Sequence, residues 1–500
     1  MADVSRTVIS SPVVVKDSKS SPVDARGSCA LVVVLGMTVA IAATTGVGVG
    51  ASWFDEQRII LLVALAVTAL VGRLINPAPL ERATTVLLAA LALGLASSAF
   101  ALRPQVAAVE WSVYCLMAVL ILSARSGCPS TVDTTAALVA AIVPGAYVTG
   151  VMANYVSALL LNFPIGADTL LVGFSNPRFP AQLQVLTIPL LPLAMQRAPS
   201  SFWRAGLAVV AALWWMCFIG SGSRTGWIAI GVAAFAVCFF GSEGRRWLKW
   251  QVVFALSGAL LWALLFHALP TLLSHPAMPE TGRFANFASM DARWALWRLS
   301  IDAALSHPLL GLGPMHFSYI DNGLSAHPHN FWLQLAAEWG LPATLLIGFA
   351  ALALIVGLWR SVKRETELSS RRLGVAVLAA VVAWGVGTLS DGYMVIPTSQ
   401  AMSTAVLMLA VMWLRLSEPD APRVTGRFVS IVATAFCGIA IAVIAVLPLT
   451  EFGQPARREQ TWRAEHPGQF LWPRFWQQGW IGPDQDPSAR QVGRSPAPLR

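Results

Sequence analysis

Residues 226–241, GWIAIGVAAFAVCFFG, and 251–272, QVVFALSGALLWALLFHALPTL, are two uncharged apolar runs, joined by SEGRRWLKW with Arg245, Arg246 and Lys249. Neither run alternates apolar with polar residues, as a half-buried strand would. Continuous apolarity over a span's length is the pattern of a helix that satisfies its own backbone in lipid. A basic connection between two such helices marks the cytoplasmic side of a membrane. Working outward, comparable runs occur at 29–50, 59–76, 84–102, 107–124, 134–155, 181–196, 206–222, 341–359, 373–395, 399–415 and 427–449. The expected fold is therefore all-α, a polytopic membrane protein with about 12–13 transmembrane helices. Composition agrees: only 12% of residues are charged, half the usual share of a soluble domain at about 25%, and mean hydropathy is +0.65.

The basic residues set the orientation. Arg6, Lys16, Lys19 and Arg26, then Arg73 and Arg82, Arg197 and Arg204, the Arg360–Arg372 group, and Arg415, Arg423 and Arg427 fall on one side if these spans hold. That side is the cytoplasm, and the N-terminus lies in it. The formal charge of +9 is thus mostly a topology signal. It is scattered over short loops, which argues against nucleic-acid binding. Six cysteines without a CxxC pair, placed in or beside spans or on the cytoplasmic side, suggest neither disulfide nor zinc site.

Five regions follow: a cytoplasmic arm (1–28), an N-terminal transmembrane bundle (29–272), one large outer loop containing short helices (273–340), C-terminal transmembrane helices (341–449), and an irregular outer tail (451–500). Arg58, Arg103 and Arg224 fall in shorter outer loops. The large loop interrupts the lipid-soluble sequence with Arg283, Arg293, Arg298, His307, His316, His327 and His329. Its stretch 291–306 reads as a helix stopped by Pro308, with Arg293, Trp297, Ser300 and Ala304 on one face. A second helix is expected near Pro328, a suitable first helical position, with Asn330, Gln334 and Glu338 as a polar stripe.

Arginines on the outer side run against the topology bias. Arg178, Arg224 and Arg293 could together clamp the phosphate oxygens of a lipid diphosphate, since guanidinium stays charged and binds bidentately. The plainer alternative is snorkelling to headgroups or pairing with a nearby carboxylate. Arg298, four residues before Asp302, suits such a helix pair; Arg224, with no acid nearby in sequence, does not. His329 could act as a general base at neutral pH, its pKa lowered by the helix it opens. A pair of capping histidines is the structural alternative, and a His-x-His metal site is disfavoured because no carboxylate stands close by. Glu110 and Asp391, in or near spans, raise an ion-path reading.

The ordered set Ser223-Arg224-Thr225-Gly226-Trp227, Arg293-Trp294-Ala295-Leu296-Trp297, His307-Pro308-Leu309-Leu310-Gly311-Leu312-Gly313, His329-Asn330-Phe331-Trp332-Leu333-Gln334 and Glu338-Trp339-Gly340 resembles the O-antigen ligase and polymerase family. The resemblance implies a multi-span bacterial inner-membrane glycosyltransferase whose active site faces the periplasm, in the large loop. It implies a glycan donor linked to undecaprenyl diphosphate, with neither nucleotide sugar, cofactor nor metal. Carried onto this chain, it implies catalytic roles for Arg224, Arg293 and His329, and substrate binding by Arg178, Asn330, His327 and Arg298. The expected reaction is inverting transfer to an acceptor hydroxyl, most closely ligation to lipid A–core. Polymerisation onto a growing glycan is the alternative; protein glycosylation and transport of lipid-linked sugars are weaker ones, the latter because no internal repeat shows.

Overall fold

The computed structural model describes residues 22–46, 52–75, 82–125, 128–276, 288–417, 427–450, 454–467 and 471–482. The chain is all-helical and polytopic. In order it forms α1 (Pro22–Thr44), α2 (Trp53–Ile75), α3 (Arg82–Phe100), α4 (Pro104–Ser123), α5 (Pro129–Leu161), α6 (Arg178–Thr187), α7 (Leu191–Arg197), α8 (Ser201–Ser221), α9 (Arg224–Val237), α10 (Gly241–Trp262), α11 (Leu269–Leu272), α12 (Ala288–Ser306), α13 (Phe331–Arg364), α14 (Leu368–Gly387), α15 (Pro397–Ser417), α16 (Arg427–Thr450) and α17 (Gln454–Glu465). Local chemistry sets many of the ends. Proline occupies the first turns of α4 and α5, where its missing N–H costs no helix bond. Ser200 and Ser223 cap α8 and α9 by accepting from backbone N–H groups.

Among the described residues, ten helical stretches are long and apolar enough to cross a membrane, against the 12–13 expected. Three local features explain the difference. The α3 run yields only a shorter apolar helix, Thr85–Phe100. The run at 181–196 is broken into α6 and α7 by a tight turn at Ile188–Leu190, where Pro189 interrupts the helix. The runs at 226–241 and 251–272 count as one stretch, although Gly241, at φ +64°, turns the chain between α9 and α10.

The helices α4, α14 and α15 form the buried centre. On the periphery, α10 and the second half of α13 expose Val252, Leu256, Leu260, Leu345 and Leu352, which is the expected surface of helices facing lipid. Against expectation, Arg58 lies in α2 rather than in a loop, and it is buried. The tail, expected to be irregular, contributes α17 and a non-helical segment, 471–482, that is folded into the protein. Trp472 and Trp480 of that segment pack with Trp462 of α17 against Ala326. Arg58 donates to the carbonyls of Phe475 and Arg474 at 2.8 and 3.1 Å. Arg283, expected in the large loop, lies outside the described residues, as do most of the N-terminal arm and residues 483–500.

Candidate active site

The loop before α13 is held by backbone packed on backbone. Gly340 breaks α13 internally at φ +81°, and a Cβ there would sit 2.3 Å from the Leu309 carbonyl oxygen. Gly311, at φ +67°, lies equally close to the Glu338 carbonyl. Around these contacts the Leu312 and Gly313 N–H groups donate to Ala337 and Glu338, and Leu341 donates to Pro308, at 2.8–2.9 Å. The His307–Gly313 stretch is therefore a docking strip for the break in α13. Only residues without a side chain allow this approach.

The helix begins later than Pro328. Asn330 is its N-cap, and its side-chain oxygen accepts from the Trp332 and Leu333 N–H groups at 3.0 Å. This oxygen serves the backbone, which leaves less of Asn330 for the substrate contact the motif implied. His327 is buried, and its Nδ1 accepts from the His329 N–H at 3.2 Å. The two rings lie 4.2 Å apart. His329 itself adopts φ +54°, an uncommon left-handed conformation for a residue with a side chain. Trp297 of α12 braces the turn by donating to the Pro328 carbonyl at 3.0 Å. Phe331 N–H reaches the Thr388 carbonyl at the end of α14.

Past that end, Asp391 accepts from Gln182 of α6 and from its own neighbour's N–H, on Gly392, at 3.0 and 2.7 Å. Asp391, Arg178, Arg224, Arg293 and His329 form one electrostatic neighbourhood. Burial is the largest cause of the low His329 pKa, down to about 3, and the Arg293 and Arg178 charges add to it. Burial likewise lowers Arg293, with Asp391 opposing and Arg178 and Arg224 reinforcing. Asp391 is raised by burial, against the Gly392 N–H, Arg293 and Arg178. His329 is thus a neutral imidazole at pH 7, for a different reason from the helix dipole expected. Its Nδ1 is buried without a hydrogen-bond partner among the described residues.

The arginines come from separate helices. Arg178 and Arg224 are the first residues of α6 and α9, so each helix directs its positive end and its first guanidinium to the same region. Such a site suits an anion with several phosphate oxygens. Arg298 is not part of it: it lies on an exposed face of α12, about 140° from Arg293, and is not among the charges acting on His329 or Asp391. His307 is exposed. His316 is satisfied structurally, with Nδ1 on the Pro314 carbonyl and Nε2 accepting from Arg103 N–H.

Sequence reasoning missed Arg474. Its side chain is fully buried and pairs with Glu110 at 2.8 Å and Glu338 at 2.6 Å. Glu338 also accepts from Phe317 N–H at 3.0 Å, and Ile481 N–H reaches the Ser318 carbonyl at 3.2 Å. The tail thus grips the loop that leads to His327 and His329. The pairing gives Glu110 a counter-charge, which removes the motive for reading it as an ion path. Below the His329 turn, an apolar cavity of about 310 Å³ is lined by Tyr114, Phe331, Leu335, Trp339 and, farther along, Leu414 and Arg415.

The fold and site define a multi-pass helical membrane protein with a half-buried, neutral histidine beside arginines from separate helices. Residues 207–348 match the family model described as O-antigen ligase. The match includes Arg224, Arg293, Arg298, His327, His329 and Asn330; Arg178, Asp391 and Arg474 lie outside it. No curated protein matches the chain.

Proposed function

We propose that this protein is a glycosyltransferase that moves a glycan from undecaprenyl diphosphate to an acceptor hydroxyl, with lipid A–core as the acceptor. Arg224, Arg293 and Arg178 hold the diphosphate and stabilise the negative charge that it gathers as it leaves. His329 takes the proton of the acceptor hydroxyl. That oxygen bonds to the anomeric carbon as the bond from this carbon to the diphosphate oxygen breaks, and the bond's electron pair leaves with the diphosphate. Attack opposite the leaving group inverts the configuration. The arginines supply the charge stabilisation, so the reading requires no metal.

The observation that carries this proposal is that Arg293 and Arg178 are the charges acting on the neutral His329. A base and an anion clamp are thereby side by side, as the reaction needs. His327 acts by positioning the His329 backbone, and Asp391 by holding Arg293 in its field. The apolar cavity under Phe331 suits a segment of the polyprenyl chain. The arginine distribution supports a site on the periplasmic face of the inner membrane.

The test is the envelope-glycan profile of a deletion strain, with lipopolysaccharide and carrier-linked glycans separated in parallel. Bare core with long polymer left on the carrier supports the ligase. Core bearing a single repeat, with no long chains, supports the polymerase instead. An unchanged profile would overturn both.

A further inference from the structure

The strongest feature outside the active site is a cavity of about 570 Å³ lined by Arg197, Arg204, Arg246, Arg372, Asp133 and Trp250. It lies at the other membrane boundary. Arg372 stands in the first turns of α14, while Asp391 follows that helix's end, and the 20 residues of α14 span about 30 Å. This is the side that carries the dense basic loops. We propose that the cavity is a binding site for the phosphate-bearing headgroup of an anionic phospholipid in that leaflet.

The charge balance supports an anion. Arg197 pairs with Asp133 at 2.5 Å, and Arg372 with Glu243 at 2.6 Å. Arg204 and Arg246 have no carboxylate partner among the described residues, so the cavity keeps two positive charges uncompensated. Four guanidiniums from α7, α8, α10 and α14 face one space, a geometry suited to several phosphate oxygens. The pairs with Asp133 and Glu243 also orient Arg197 and Arg372 in advance, which reduces the ordering cost of binding.

The surroundings point to lipid as the source of the phosphate. Phe202 and Trp203, next to Arg204, are 79% and 58% exposed, and aromatic residues at a helix end anchor in the headgroup region. Immediately beyond Trp250, Val252, Val253 and Leu256 of α10 are exposed, forming an apolar wall for acyl chains. Basic pockets between helices on this side of a membrane commonly take anionic headgroups.

The test is native mass spectrometry of the full-length protein in nanodiscs of phosphatidylglycerol or cardiolipin mixed with phosphatidylcholine. The wild-type protein is expected to retain the anionic lipid selectively. Arg204→Ala and Arg246→Ala should each weaken retention about fivefold, whereas Arg204→Lys with Arg246→Lys should keep most of it in a folded protein. The control, Arg245→Ala with Lys249→Ala, removes basic neighbours that do not line the cavity and should retain lipid as the wild type does. Equal retention of anionic and zwitterionic lipid, or full retention by Arg204→Ala combined with Arg246→Ala, would overturn the proposal. Displacement of the lipid by millimolar inorganic phosphate would overturn the lipid assignment in favour of a free-phosphate site.

Discussion

A histidine serves as a base only if it is neutral, and His329 is held neutral by its burial and by the arginines beside it. Those same arginines are the proposed diphosphate ligands, so donor binding should offset their charge and make His329 more basic. In the free protein the pKa is below the ordinary 6.5, so the unprotonated form persists as pH falls through that value. The acid limb of kcat/KM, which reports the free enzyme, should lie well below pH 6.5, and the acid limb of kcat above it. Arg293→Ala removes one of the charges that lower the pKa, so the kcat/KM limb should move upward. A pH profile with both limbs at 6.5 in the wild type and the variant would contradict this account of His329. The arginines separate in the same assay. Loss of Arg224 or Arg178 removes a charge-assisted contact of about 1.5–3 kcal/mol, or roughly ten- to hundredfold in kcat/KM. Arg298→Ala should stay within about twofold, despite the substrate-binding role the resemblance implied, because its helix face points elsewhere.

At the scale of elements, the glycines of the docking strip decide whether the histidine turn is placed at all. Gly340→Ala meets a backbone oxygen and an unfavourable φ, which costs about 1–3 kcal/mol for the conformation alone. The purified variant should unfold at lower temperature and lose transfer activity; wild-type melting and turnover would show that the break in α13 is not needed. The helices were legible because membrane spans are written in composition, and α12 was legible as the stretch stopped by Pro308. The start of α13 was misplaced because proline and asparagine both suit a helix entrance, and only the bonds from Trp332 and Leu333 show that Asn330 is the cap. The glycines of His307–Gly313 were visible as letters. Their role depends on Gly340, which follows well beyond any local turn, so no local pattern could disclose it.

Over the whole molecule, the tail ties distant parts of the chain together. Arg474 reaches Glu110 and Glu338 across 364 and 136 positions of sequence, a separation at which sequence patterns carry no information about pairing. Asp391 was noticed as an acid in or near a span, yet its place beside Arg293 emerged only from the packing of α6, α12 and α14. Breaking a buried ion pair leaves a charge uncompensated and costs about 3–5 kcal/mol. Arg474→Ala should therefore lower the melting temperature far more than Arg463→Ala, which breaks a largely exposed pair with Glu459 worth about 0.3–0.5 kcal/mol. Equal melting of the two variants in detergent would show that the tail does not hold the fold. The most direct test of the central claim is single-turnover transfer by purified His329→Ala, using a lipid-diphosphate-linked glycan and its acceptor. The account predicts a normally inserted, donor-binding protein that forms no product. Transfer at the wild-type rate would contradict it.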